Sequence, residues 1–290
     1  MKKKRKKSKD KINYWLLILI ILLAIILILS RARRTARRAT YRPPPVEQPD
    51  NYKNATEDTL KEEAIQETFE IEKKFLLGNV IPSQSEKMVE VESRYASREG
   101  MFMHKEAYEA FQKMHEAAEN DGVDLTIISA MRTFDHQKRI WENKWNGKQK
   151  LFGDIYATEI SDPVERAKEI LRFSAMPGTS RHHWGTDIDL NSLQNSYFET
   201  GEGKKVYQWL EENAEFYGFC QPYTPHGQNR GGGYEEEKWH WSYKPLAAKY
   251  LRAFKNNIDY DDITGFDGDQ TARKLNVIEK YVIEIDPECE

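Results

Sequence analysis

Two short windows constrain the fold of this chain more than anything else in it. Ser180-Arg181-His182-His183-Trp184-Gly185-Thr186-Asp187-Ile188-Asp189 is answered about fifty residues later by Glu237-Lys238-Trp239-His240-Trp241. Together they hold three His, three carboxylates and a cluster of Trp. These are the ingredients of a zinc site that carries its own proton acceptor, with three protein ligands at about 2.0–2.2 Å and one position left open. A fold that uses them this way must bring both windows to one point.

His182, Asp189 and His240 would supply two imidazoles and a carboxylate, with Glu237 close enough to take a proton. On residue type alone His183 and Asp187 are equally good donors. Alternation along a strand places Asp187 and Asp189 on the same face, so parity does not separate them. Glu237 and His240 differ by an odd offset and can share a face only where the chain bends just before His240. That bend is a geometric requirement of the site.

Around these windows the pattern reads as helices flanking short strands. Glu57 to Leu77 has a helical spacing of apolar residues, and Gly78 to Pro82 breaks it. Glu106 to Asn120 resumes that spacing, with Ala107, Ala110, Phe111, Met114, Ala117 and Ala118 on one side. Val123 to Ala130 is a β-branched strand, and Thr133 then caps a helix carrying Gln137, Ile140, Trp141 and Trp145. Asp162-Pro163 opens another helix. Lys204 to Tyr217 is helical, Gly227 to Gly233 is a Gly-rich loop, Trp239 to Tyr243 is a strand, and Leu246 to Phe254 is a closing helix. In the tail from Ile258 to Glu290, the segment Val277 to Ile285 alternates and predicts an edge strand or a cover over the cleft. Without repeated βαβ spacing the fold class is α+β, a small, mainly antiparallel sheet flanked by helices. Trp184 fits the core, and His104, His115, His136 and His226 fit structural or surface positions.

Charge is unevenly placed. Residues 1–42 carry fourteen Lys or Arg and one Asp, which leaves 30 basic and 46 acidic side chains in the rest. An acidic body argues against a nucleic-acid partner, because phosphate binding needs a basic face. The basic head surrounds an apolar run from Ile12 to Leu29, long enough to span a bilayer as a helix. Lys-rich residues 1–11 predict a cytoplasmic N-terminus with the body on the outer, cell-envelope side of the cell membrane. Ser30-Arg31-Ala32 offers a cleavable signal as the competing reading, and the body is exported either way. Cys220 and Cys289 are compatible with an oxidising compartment, as a disulfide or as two thiols.

Ser180, His182, Gly185 and Asp189, followed by Glu237-Lys238-Trp239-His240, resemble the pattern of the VanY-type D-alanyl-D-alanine carboxypeptidases: Ser-x-His, a Gly three residues on, Asp seven after the His, then Glu-x-Trp-His. A third element, Ser-x-x-Arg with Gln five residues after the Arg, is matched by Ser129-Ala130-Met131-Arg132 and Gln137. The resemblance covers roughly residues 95–256. It implies zinc ligands at His182, Asp189 and His240, a catalytic base at Glu237, carbonyl polarisation by Arg132, and substrate contacts from Ser129, Gln137 and Ser180. Two positions depart from the pattern: Asp187 stands where the family usually has a small residue, and Lys238 where Pro is common.

The organisation expected is a cytoplasmic tail (1–11), a transmembrane anchor (12–30), a basic and Pro-rich spacer (31–56), a stalk or N-terminal extension (57–94), a zinc carboxypeptidase domain (95–256) and a C-terminal extension (257–290). The activity implied is removal of the C-terminal D-alanine from peptidoglycan stem peptides. An L,D-carboxypeptidase or endopeptidase on the same polymer shares the motif. A zinc-dependent wall-binding or signalling module, of the kind seen in the related hedgehog-type fold, is the reading from another class.

Overall fold

The computed structural model describes residues 72–227 and 230–290. The apolar run at 12–29 and residues 57–71 of the expected first helix lie outside the described residues. Among the described residues no helix is long and apolar enough to cross a membrane.

The chain enters through α1 (Lys73–Leu76), whose Phe75 and Leu76 are buried. A two-stranded antiparallel ribbon follows, β1 (Met88–Glu90) with β2 (Phe102–His104). Next come α2 (Lys105–Asn120), β3 (Ile127–Ser129), α3 (Phe134–Trp145) and α4 (Pro163–Ile170). Thr133 caps α3, its hydroxyl accepting from the His136 N–H, and Asp162 caps α4 ahead of the N1 proline. Then come β4 (Asp187–Leu190), α5 (Gly201–Asn213), β5 (Phe219–Cys220), β6 (His240–Tyr243) and α6 (Lys244–Asn257).

The main sheet runs β3-β4-β6-β5, antiparallel throughout. The strand expected over 123–130 shrinks to three residues. Its partner β4 has only four, and the register shifts between Ile127 and Ser129. In β4 and β6 the side chains alternate between two buried environments. Ile188, Leu190 and Trp241 join Phe111, Met114, Leu125 and Leu210 in one apolar core. The other face presents Asp187, Asp189, His240 and Ser242, all buried. A second core of Leu76, Trp141, Trp184, Leu251 and Phe254 adjoins the windows, so Trp184 is a core residue as its pattern suggested.

The expectation for the tail is corrected. Val277 to Ile285 is not an edge strand but a π-helical turn, Ile278–Ile283, in which Glu284 N donates to Glu279 O. Val277, Ile278, Val282 and Ile285 are buried while Glu279 and Lys280 are exposed, a helical spacing that the apparent alternation disguised. Cys220 and Cys289 form a disulfide across 69 residues, and Asp286 N donates to Pro222 O, so the tail is fastened beside β5.

His104, at the junction of β2 and α2, is buried with its Nδ1 unpartnered. Burial, reinforced by Lys87 and Lys105, lowers its pKa to about 4. Because the folded pKa lies below that of the unfolded chain, the penalty is absent above about pH 6.5 and grows as pH falls toward 4. The expected cost is roughly 3 kcal/mol once both values are passed. Denaturation between pH 7 and 4.5 should show this slope, and His104→Phe should remove part of it.

Candidate metal centre

The first window is a 3-10 turn, Arg181–Trp184, closed by Gly185 at φ 70°. A Cβ at Gly185 would stand 2.9 Å from Met88 Sδ and 3.0 Å from His104 N, so the position requires glycine on both counts. Gly185 O accepts from His104 N at 2.8 Å, and the chain then passes straight into β4.

Strand register does the rest. Asp189 stands directly opposite His240. His182, Asp189 and His240, all buried, each offer one donor atom within 4.8 Å of the others. Asp189 Oδ1 lies 3.3 Å from His182 Nε2 and 3.1 Å from His240 Nδ1. Tetrahedral zinc with bonds near 2.1 Å needs ligand separations of about 3.4 Å. That oxygen is buried without a hydrogen-bond partner.

The far side of each imidazole is spoken for. His182 Nδ1 lies 2.8 Å from Ala130 O, and His240 Nε2 lies 2.9 Å from Asp187 Oδ2. Each of these nitrogens must donate, which leaves His182 Nε2 and His240 Nδ1 as lone pairs facing Asp189. Fixing a ligand's tautomer through its other nitrogen is how protein metal sites orient imidazoles, and the residues present fit a zinc ion.

Asp187, open as a ligand in the sequence, serves instead as the support for His240. Its Oδ2 accepts from Arg181 Nε at 3.0 Å, and its Oδ1 accepts from Ser242 Oγ at 2.8 Å and Thr186 Oγ1 at 2.7 Å. Burial alone would push this carboxyl up, but Arg181 and His240 hold it well below the usual carboxylate range. Asp189 has an arginine of its own, since the Arg132 guanidinium pairs with Oδ2. Burial opposes charge on His240, yet the Asp187 and Asp189 carboxylates on either side of its ring raise its pKa to about 9 in the metal-free site.

The bend required between Glu237 and His240 is a turn in which His240 N donates to Glu237 O at 3.2 Å. It sets Glu237 Oε2 3.5 Å from His240 Nδ1. Burial raises Glu237 to about 8, opposed by His240, Arg132 and Lys144, and a dication at the triad would oppose it further. Asn195, which sequence reasoning missed, clamps this turn: its Nδ2 donates to Glu236 O at 2.7 Å and its Oδ1 accepts from Lys238 N at 3.0 Å. A proline at 238 has no N–H to give, so the departure at Lys238 is coupled to Asn195.

Around the triad opens a cleft of about 950 Å³, within the usual range for small-ligand sites. Arg132, Ser129, Ser180 and Glu237 line it. Arg132 is braced by Ser129 Oγ at 2.9 Å from Nε and by Gln137 Oε1 at 3.5 Å. Gln137 itself is fully buried and outside the cleft lining; its Nε2 donates to Ala175 O at 2.8 Å, so it supports Arg132 where the resemblance implied a substrate contact. His183 uses both nitrogens elsewhere, on Arg132 O at 2.6 Å and Gly178 N at 3.1 Å. Of the remaining histidines, His136 lines the cleft, His104 and His115 are buried elsewhere, and His226 meets Tyr234 O.

A centre of two His and one Asp with a free carboxylate beside it defines a metallopeptidase-type site. Residues 100–246 match the family described as VanY, D-alanyl-D-alanine carboxypeptidase, and the chain belongs to that family. Its members are zinc metallopeptidases, and zinc is the metal these donors suit. The chain is 31% identical over 163 residues to the candidate carboxypeptidase YodJ of Bacillus subtilis (strain 168), covering 54% of this chain and 50% of that protein. It is also 31% identical over 137 residues to a D-alanyl-D-alanine carboxypeptidase of Enterococcus faecalis (strain ATCC 700802 / V583), covering 47% and 46%. The chain thus spans about half the length of these curated relatives. A solved structure, VanYB in complex with D-alanine-D-alanine, aligns at 25% identity and a TM-score of 0.44, covering 61% of this chain and 87% of that one.

Below about pH 9 a proton on His240 competes with zinc, so affinity measured by chelator competition should rise from pH 6 to 9 and then level off. Measured at pH 9, Asp187→Asn should weaken zinc binding about 10- to 100-fold.

Proposed function

We propose that this protein is a membrane-anchored zinc carboxypeptidase that removes the C-terminal D-alanine from peptidoglycan stem peptides. The observation that carries this reading is the Glu237 carboxylate, buried and 3.5 Å from His240 Nδ1 at the rim of the triad. Zinc, when bound, supplies Lewis acidity that brings the acidity of water near neutrality and polarises the scissile carbonyl.

The chain's own residues do the remaining work. Glu237 Oε2 takes the proton from the attacking water and delivers it to the departing amine. Arg132, held at its Nε by Ser129 and at a terminal nitrogen by Gln137, directs its guanidinium at the oxygen on which negative charge develops, a contribution of about 3–4 kcal/mol for a well-placed donor. Ser129 and Ser180 line the cleft that receives the peptide end. The products are a peptide one residue shorter and free D-alanine. The apolar run at 12–29 anchors the chain with the basic tail in the cytoplasm and the catalytic domain on the envelope side. The Cys220–Cys289 disulfide supports an oxidising location.

The zinc-loaded full chain in detergent should release D-alanine from a peptide ending in D-Ala-D-Ala, and a chelator should stop it. Glu237→Gln should keep zinc and lose about 10²–10⁴ in turnover. Mass spectrometry of defined muropeptides reads the bond cut: loss of a residue from tetrapeptides alone, or opening of cross-links, would redirect the substrate. Zinc and muropeptide binding with no hydrolysis would replace the enzyme reading with a binding module.

A further inference from the structure

Helix α3 turns one row of side chains toward the cleft, His136, Ile140 and Lys144, each four residues from the next. Lys144 lies toward the C-terminal end of this row. Its Nζ donates to Ser174 Oγ, and both residues line the cleft with Glu237 and Arg132. An ammonium has three donors, and the serine hydroxyl uses one of them without neutralising the charge. Among the described residues no carboxylate lies within ion-pair distance of Lys144.

Of the other cations that line the cleft, Arg132 is committed to Asp189, Arg181 to Asp187 and Lys150 to Asp154, and Arg98 is exposed to solvent. A charge held in a recess without a counter-ion is costly, and a ligand that brings the counter-ion is favoured there. Burial and the neighbouring Arg132, opposed by the Glu237 carboxyl across the cleft, bring Lys144 down to about 8, so it remains mostly cationic at neutral pH.

We infer that Lys144 forms a carboxylate-binding subsite of this cleft and selects peptides that carry a free carboxylate near the scissile bond. This rests on the carboxypeptidase reading above. Two sources present the same chemistry: the α-carboxylate of the leaving residue, and an acidic group one or two residues upstream. The ammonium forms charge-assisted hydrogen bonds to either, with Ser174 holding its position.

The test uses the zinc-loaded full chain with four peptides ending in D-Ala-D-Ala: one with both carboxylates, one amidated at the C-terminus, one with the upstream acid replaced by its amide, and one with neither charge. Lys144→Met should raise KM about 10- to 100-fold on the doubly charged peptide, with kcat changed only a few-fold. Lys144→Arg should recover most of the loss. The single amidation that abolishes the difference between wild type and Lys144→Met identifies the carboxylate. An equal rise in KM on all four peptides, or no rise on any, overturns the subsite. If wild-type protein hydrolyses none of them, the carboxypeptidase reading fails. The subsite is then decided by calorimetric titration of the same peptides: weaker binding of the doubly charged peptide to Lys144→Met supports it, and unchanged binding overturns it.

Discussion

The antiparallel register that sets Asp189 against His240 governs the rest of the molecule. It fills one face of β4 and β6 with almost wholly buried ionisable groups at the floor of the cleft, an arrangement that is stable only when each charge is answered. Two arginines provide the answer, Arg181 for Asp187 and Arg132 for Asp189. With both aspartates already paired to arginines, an arriving dication faces a centre of little net charge, with the Glu237 carboxyl standing beside it. A dication held there would draw the Glu237 carboxyl toward its ionised form.

The opposite face of the same strands explains why this geometry holds. Ile188, Leu190 and Trp241 are locked into the core shared with α2 and α5. A one-residue slip of β6 would carry Trp241 into the metal face and His240 into that core. Apolar packing on one side thus specifies polar alignment on the other.

Much of this was legible in the sequence, because the site depends on local spacing. The 3-10 turn, the glycine at 185 and the turn before His240 are all short-range consequences of the two windows. Helices with strong spacing were legible too, although α5 begins at Gly201 and its last turns become 3-10. What the sequence hid depends on long-range partners. The Gln137 amide lies between Arg132 and Ala175 O, and the tail that alternates like an edge strand places its buried residues on a helical spacing, both set by partners far away in the chain. Lys144 and Asn195 carried no motif, since their significance comes from what tertiary structure sets beside them.

The two departures from the family pattern are both accounted for by bonds, and one of them constrains how the protein can vary. Asn195 lies 43 residues before Lys238 and holds its backbone N–H. Were the more usual proline to return at 238, the Asn195 side-chain carbonyl would lose its donor, and the segment leading into α5 would lose a tie to the turn between Glu237 and His240. A change at either position alone removes the bond, so in related sequences the two should be inherited as a pair. Asparagine at 195 should accompany a non-proline residue at 238, and the constraint on 195 should relax where proline is present.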